Sequence, residues 1–461
     1  MTEAFPPRRL QEAAKALGVA WNGVDAAFTP VSTDTRQLPP GALFVALTGP
    51  NFDGHDFIAA ARERGACAAL VSRWVDDPLP QLCVADTRLA LGRLAATRRA
   101  AFRHPLIALT GSNGKTTLKE MIAAILRVRG ATLATEGNLN NDIGVPLTLL
   151  RLNGEYAYAV IEMGANHPGE IAYLTDLTRP DVAIINNAGP CHLEGFGDVA
   201  GVARSKGEIF QGLAPNGVAI INRDDPYANA WIALNPGRRV VDFGLDAPAA
   251  VSGQILDDTR FRLQTTDGAI DIRLALPGQH NVRNALAAAA ATLSVGTTLD
   301  QVRQGLESLH GVGGRMQRLP GRHGGAVIHD AYNANPASLA AALQTVGAEP
   351  GRKWLVLGDM RELGPAANDL HAQSGQAARR AGFERLYALG EHSRAAVQAF
   401  GGGGEHFTTA EALTEALDGA LQHGDEPPLI LVKGSRGMRM ERIVTALAAS
   451  GAFSKELEGH H

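Results

Sequence analysis

Cysteine is scarce in this chain of 461 residues: Cys67, Cys83 and Cys191 are the whole set, an odd number with no CxxC or paired spacing. This argues against a disulfide framework and against a cysteine-ligated zinc site, and it fits reduced thiols serving as small core residues of a cytosolic protein. Long apolar runs are missing too. No stretch reaches the roughly 18 consecutive apolar residues that a membrane span needs, and MTEAFPPRRLQEAAKALG has Arg8 and Arg9 with no uninterrupted apolar segment after them. Neither a span nor a signal peptide is expected, and the expected location is cytoplasmic. An excess of one charge is also lacking. Lys and Arg number 43 against 47 Asp and Glu, a formal charge of -4, so no broad positive field is available to grip a nucleic-acid backbone.

At roughly 100 to 200 residues per domain, the length predicts about two to four domains. With 52 glycines and 24 prolines, the chain reads as a loop-rich enzyme without low complexity. Residues 1–104 begin with a helical pattern (Leu10, Ala13, Leu17) and continue with short alternating segments such as GALFVAL (41–47) and the run ACAALVS (66–72). They form a small α/β domain. From Leu106 strand and helix alternate: LIALT (106–110) leads to a helix from Lys115, AYAVIEM (157–163) to one from Pro168, and VAIIN (182–186) to one over 199–213. Strands that are apolar almost throughout and separated by helices indicate a parallel sheet covered on both faces. Residues 251–276 alternate in polarity and predict an antiparallel ribbon with one solvated face.

The Ala-rich helix NVRNALAAAAATLS (281–294) closes this central block, 105–312, and the Gly-rich stretch GVGGR (311–315) is taken as a linker. In the last block, 313–456, the runs AVIHD, WLVLGD, RLYALG and LILVKG each lead into a helical pattern, which predicts a second doubly wound, Rossmann-like domain. Residues 457–461 read as a tag remnant. The fold class expected is therefore α/β in three domains.

The most informative run is LIALTGSNGKTTLKEMIAAIL, a buried strand entering a glycine loop with a helix starting at Lys-Thr. There the amides of Gly111, Ser112, Asn113 and Gly114 and the helix N-terminus form an anion cradle. Lys115 can reach the β- and γ-phosphates, the Thr116 hydroxyl can ligate Mg²⁺, and Thr117 follows on the first turn. The common GxxxxGK[ST] pattern would place Gly at 109, where this chain has Leu109. An ordinary strand-to-helix turn with a surface lysine is the alternative. Glu162 ends its strand at the carboxyl edge, where open α/β sheets bind ligands; it is a metal ligand or a cap for the next loop. From position alone, His192 reads first as a solvated loop histidine, Lys206 as a surface lysine, Arg315 as a surface arginine and Asp330 as a helix cap.

TGSNGKTT (110–117), TEGNLNNDIGVPLTLL (135–150), EMGANHPGEI (162–171), NNAGPCHLEGFG (186–197), ARSKGEIF (203–210), NRDDP (222–226) and PGQHNVRNALAA (277–288) resemble, in order and spacing, the Mur ligases, the ATP-dependent amide-bond ligases of peptidoglycan synthesis. The resemblance covers essentially the whole chain. HDAYNANPASLAAAL (329–343), VLGDMRELG (356–364) and VKGSRGMRMERIV (432–444) are similar to the branch that adds D-alanyl-D-alanine to a UDP-N-acetylmuramoyl-tripeptide, and no DNPR motif marks the diaminopimelate-adding branch. What the resemblance implies is an acyl-phosphate mechanism with ATP and two Mg²⁺ ions. Thr116 and Glu162 would serve one ion and His192 the second, while Lys206 matches the lysine that becomes an Nζ-carbamate and helps place Mg²⁺.

By the same resemblance Asn281 would contact adenine, Asp330 the ribose, and Arg315 the γ-phosphate on domain closure. Ser32, Asp34, Thr35, Arg36, Asn51, Asp53, Gly54 and His55 would meet the uridine diphosphate, with turn formation as the alternative reading. Asn140 and Asn141 would position the substrate or order the loop, and Tyr332, Asn333, Asn335, Lys433, Ser435 and Arg436 would receive the dipeptide. A monomer acting on these two small substrates is expected, with no nucleic-acid or membrane partner. The rivals are another member of the superfamily, a folylpolyglutamate-type enzyme included, and a P-loop kinase or nucleotide-gated binding protein.

Overall fold

The computed structural model describes residues 8–309, 311, 313–423 and 426–450; the tag expected at 457–461 lies outside the described residues. Sheets of four, nine and six strands follow one another along the chain, with a two-stranded ribbon of Arg8–Arg9 and Ala27–Phe28 beside the first.

The first sheet is parallel, in the order Val31–Ser32, Leu43–Val45, Ala68–Val71, Gln81–Cys83. Leu43, Val45, Ala68 and Leu70 feed one apolar core while Phe44, Ala69 and Val71 feed another. Both faces are therefore covered, and the segments GALFVAL and ACAALVS supply fully buried strands. The helix Thr87–Ala101 starts at Asp86, whose carboxylate accepts from the amides of Arg88 and Leu89. Its residues Leu91, Leu94 and Ala95 join one continuous core with Leu149 and Leu174 below the second sheet.

The nine-stranded sheet runs Gly268–Arg273, Arg260–Thr265, Val251–Ile255, Arg239–Gly244, Val218–Asn222, Val182–Ile185, Leu106–Thr110, Tyr158–Glu162, Thr132–Ala134. The first three strands form the expected antiparallel ribbon, with Phe261 and Leu263 buried and their neighbours exposed. It does not stand apart: Val251–Ile255 pairs in parallel with Arg239–Gly244 and extends the main sheet. The Ala-rich helix Gln279–Leu293 shares an apolar core with the helix Lys115–Arg127, its small side chains allowing close approach. Two local expectations shift. The helix expected from Pro168 begins at Glu170, and the one expected over 199–213 is α-helical only over Val199–Gly207, tightening to a 3₁₀ turn over Glu208–Gly212.

The third sheet runs Gln317–Pro320, Ala326–Asp330, Leu429–Lys433, Lys353–Gly358, Arg385–Leu389, Gly404–Phe407. Only the first pair is antiparallel. The four expected strands are central; the two edge strands, QRLP and GEHF, carry no apolar run that would announce them. The segment leading into this sheet turns through Gly314 at φ +70° and Met316 at φ +52°, so Arg315 is held between two left-handed residues.

Candidate active site

The loop strand Leu106–Thr110 lies between Tyr158–Glu162 and Val182–Ile185, with Leu109 opposite Glu162 and Thr110 opposite Ile185. The register therefore delivers the glycine loop, Glu162 and the Asn186-Asn187 pair to one carboxyl edge. Gly114 has φ +77°, and a Cβ there would stand 2.6 Å from Asn284 Oδ1 and 2.9 Å from Asn186 Nδ2. Only glycine fits this corner. Gly111 is similarly close, 3.0 Å from Asn186 Cβ.

Amides brace the loop from behind. Asn186 Nδ2 donates to Asn113 O (3.0 Å) and to Asn284 Oδ1 (2.8 Å), Asn187 Oδ1 accepts from the Asn113 amide (2.9 Å), and Asn222 Nδ2 donates to Asn186 O (2.8 Å). Ser112 Oγ donates to Gly189 O (3.1 Å). This brace is the main part of the site that sequence reasoning missed; the one signal was the Asn-Asn pair closing an apolar strand.

Within the loop, Lys115 Nζ donates to Gly111 O at 2.8 Å, folded over the cradle. Thr116 Oγ1 donates to Glu162 Oε2 (3.0 Å), and Asn140 Nδ2 donates to Glu162 Oε1 (2.8 Å). Glu162 is buried, so this carboxylate and hydroxyl are hard oxygen donors held together inside the site and suited to a divalent cation. Arg315 crosses from the third sheet's domain and its Nη2 donates to the same Thr116 Oγ1 at 2.8 Å. Asn335, which caps the helix Pro336–Gly347, donates from Nδ2 to Asn113 Oδ1 at 2.7 Å. Two side chains of the last domain thus straddle the phosphate loop.

Lys206 is buried and no surface lysine: loss of hydration pushes its amine down to about 8, with nearby Cys191 opposing and Lys115 adding to that shift. Cys191 is also buried, its Sγ 3.1 Å from Ser112 Oγ. His192 has left-handed backbone, φ +49°, and its Nδ1 contacts Glu362, itself at φ +62°, across the domain boundary. The His192 contact holds the Glu362 carboxyl below its ordinary range. Among the described residues no group of three or more His, Cys, Asp or Glu is arranged to hold a metal.

Beyond the loop, Asn281 is buried and its Nδ2 donates to Pro277 O (2.8 Å). His280 beside it lines the same cavity, and burial lowers its pKa. Asp330 is no helix cap. Its Oδ2 pairs with Lys433 Nζ at 2.5 Å and its Oδ1 accepts from the Met316 amide at 3.2 Å, which ties the Arg315 segment to the sheet. Tyr332 lies between two guanidinium groups, with Arg315 4.3 Å and Arg436 5.5 Å from its ring centre. Lys433 Nζ also donates to Asn333 O (3.1 Å), and Arg436 pairs with Glu441 at 3.3 Å.

Several expected ligand contacts are occupied within the fold. Ser435 is buried, donating to Ala334 O (3.2 Å) and accepting from the Arg361 amide (2.8 Å), so its hydroxyl joins loops and is not turned to a dipeptide. Asn141 Oδ1 accepts from the amides of Ile143 and Gly144 at the start of the helix Gly144–Leu150, ordering that loop, while the residue also lines the cavity at the phosphate loop. His55 is buried and shares its ring nitrogens with Asp53 (2.6 Å) and the Ser72 amide (2.9 Å), while a Cβ on Gly54 would meet Leu47 N at 2.7 Å; both shape the turn. Asp34 caps the turn at Thr35 and pairs with Arg36 (2.6 Å), whose fork lowers its pKa; Ser32 Oγ donates to Asp34 O (3.0 Å). Asn51 and Arg36 are exposed. None of these first-block residues lines the cavity at the phosphate loop.

That cavity, of about 930 Å³, is walled by all three regions. Its lining includes the phosphate loop with Glu162, His192 and Lys206, then His280, Asn281 and Asp330, and, from the last domain, Tyr332, Asn333 and Arg436. Arg88 of the first domain also lines it and pairs with Asp142 of the central one. A phosphate cradle next to a buried carboxylate, closed over by cations from a separate domain, is equipment for transferring a phosphoryl group onto a second bound substrate.

The chain belongs to the Mur ligase family. Three descriptions of that family match it in chain order: the catalytic domain over residues 27–99, the middle domain over 109–292 and the glutamate ligase domain over 314–436. Within the family it is 49% identical to the UDP-N-acetylmuramoyl-tripeptide--D-alanyl-D-alanine ligase of Escherichia coli, over 93% of this chain and 96% of that one. Among solved structures, the UDP-N-acetylmuramoylalanyl-D-glutamyl-2,6-diaminopimelate--D-alanyl-D-alanyl ligase of Acinetobacter baumannii superposes with a TM-score of 0.85 at 36% identity, covering 95% of this chain and 98% of that one. The MurF ligase of Thermotoga maritima in complex with ADP gives a TM-score of 0.79 at 26% identity, covering 94% and 98%.

Proposed function

We propose that this chain joins D-alanyl-D-alanine to UDP-N-acetylmuramoyl-tripeptide with the conversion of ATP to ADP and phosphate. The observation that carries the reading is the single cavity in which Arg315 reaches Thr116 of the phosphate loop while Arg88, Glu162 and Tyr332 face the same space. A carboxylate is a poor acyl donor, because its leaving group would be oxide. Moving the γ-phosphoryl group onto it makes an acyl phosphate, the dipeptide amine attacks the acyl carbon, and phosphate leaves. Lys115 and the loop amides hold the phosphates and Arg315 neutralises charge on the group in transfer. Asn281 and Asp330 stand at the adenine and ribose end.

The Thr116 and Glu162 oxygens fit a Mg²⁺ ion, whose chemistry is to neutralise and align the phosphate oxygens. For a second ion His192 needs a carboxylate partner. Lys206 supports one, because a buried amine with a lowered pKa holds far more of the neutral form that reacts with CO₂ to give a carbamate than an ordinary lysine does. In this reading residues 1–104 hold the uridine nucleotide, with Arg36 and Asn51 exposed for it, 105–312 hold ATP, and 313–456 take the dipeptide beside Tyr332, Asn333, Lys433 and Arg436. All three walls come from one chain, which supports a monomer. No described helix is long and apolar enough to cross a membrane, and the nucleotide substrates support a cytoplasmic location.

The test is phosphate release from ATP with the UDP-linked tripeptide and a panel of amines. Release is expected with D-alanyl-D-alanine; release that instead requires a single amino acid or glutamate would refute the assignment.

A further inference from the structure

The substrate carboxylate must meet the γ-phosphoryl group beside Thr116 and Glu162, so the side chain of the acceptor's last peptide residue extends into whatever wall is left. Apart from the residues already given to the nucleotide and to the last domain, the cavity lining includes a group drawn from Asp86–Leu89, Asn138–Asp142 and Gly164–Leu174. Of this group, Arg88 is the only lysine or arginine, set among Asp86, Asp142 and Glu170. Arg88 grips Asp142 through Nε and through Nη2, which donates to Oδ1 at 2.8 Å. This fork leaves Nη1 with two N–H groups for another carboxylate, and the side chain is 53% exposed. One turn along the same helix, a Cβ on Gly92 would lie 2.1 Å from the Tyr173 hydroxyl, and that buried hydroxyl has no hydrogen-bond partner. The wall thus offers a cation and an acid beside it.

An amine alone, as on a lysyl side chain, is matched by acids alone. A side chain ending in both amine and carboxylate requires an adjacent cation and anion. We propose, resting on the ligase reading above, that Arg88 and Asp142 read the side-chain end of the acceptor's third residue and select a zwitterionic diaminopimelyl end over the lone amine of lysine. Arg88 takes the distal carboxylate, and Asp142, freed on that side of the fork, takes the ammonium.

The experiment compares kcat/KM for UDP-N-acetylmuramoyl-tripeptides ending in meso-diaminopimelate or L-lysine, at saturating ATP and D-alanyl-D-alanine. The intact protein is expected to favour diaminopimelate by about tenfold or more, the discrimination of a site built to bond a polar group. Arg88→Met is expected to bring the ratio to within about threefold, mainly through KM for the diaminopimelyl acceptor. Arg88→Lys, which keeps the charge without the fork, is expected to lie between, and it carries the test if Arg88→Met does not fold. A ratio near one in the intact protein, or a loss that is equal for both acceptors in both variants, would overturn the inference and leave Arg88 as a domain prop. Turnover with neither acceptor would instead remove the ligase reading, and this inference with it.

Discussion

Removing the Arg315 side chain separates nucleotide binding from phosphoryl transfer. In the structure its guanidinium makes two contacts, the hydrogen bond to Thr116 Oγ1 at 2.8 Å and the approach to the Tyr332 ring at 4.3 Å. A hydrogen bond from a charged donor contributes about 1.5–3 kcal/mol. A partly desolvated cation–π contact adds about 0.5–2 kcal/mol. Together they hold the closed arrangement by about 2–5 kcal/mol, which at 1.36 kcal/mol per decade is a factor of roughly 30 to several thousand in the population able to react. Neither contact helps form the cradle of Gly111, Gly114 and Lys115. Arg315→Ala is therefore expected to slow acyl-phosphate formation by about 10²–10³, followed by quenching a single turnover of γ-labelled ATP, while ATP affinity measured by titration stays within about threefold. Equal losses in affinity and rate would refute the argument, since they would place Arg315 in the ground-state nucleotide site. An unchanged single-turnover rate would refute it as well.

Gly114→Ala forces a Cβ into left-handed backbone and against Asn284 and Asn186; at about 1–2 kcal/mol for the backbone alone, ATP affinity is expected to fall roughly tenfold or more, with an unchanged far-UV spectrum. Unaltered affinity would show that the loop relaxes freely. His371 supplies a pH prediction. It is buried, its Nδ1 donating to Ala367 O (2.7 Å) and its Nε2 accepting from the Met360 amide (3.0 Å), a pattern that only the neutral ring satisfies. Burial lowers its pKa, so on acidification through about pH 6.5 the unfolded chain takes up a proton that the native state does not, and stability falls. Urea unfolding midpoints between about pH 7.5 and 5.5 are expected to drop less in His371→Gln than in the parent; identical slopes would dismiss His371 as a contributor.

The fold was legible wherever physics is local. Apolar strands, a helix opening at Lys115 and the ribbon over 251–276 follow from periodicity and turn chemistry, whereas sheet order and the join between ribbon and parallel sheet depend on long-range pairing that leaves no local pattern. The polar edge strands Gln317–Pro320 and Gly404–Phe407 were invisible for the same reason. At the site, the cradle, and Glu162 beside it, could be read because a strand's end fixes their direction. The brace of Asn186, Asn187, Asn222 and Asn284 could not, since amides far apart in sequence announce no partnership. Glu362 and Arg88 went unremarked because each acquires a partner only when domains meet.

The contacts of Arg315 and Asn335 with the phosphate loop have one more consequence. They engage Thr116 and Asn113, side chains of the phosphate loop itself. Moving the last domain away must break both contacts at once, so access to the phosphate loop and the placement of Arg315 are coupled in a single motion.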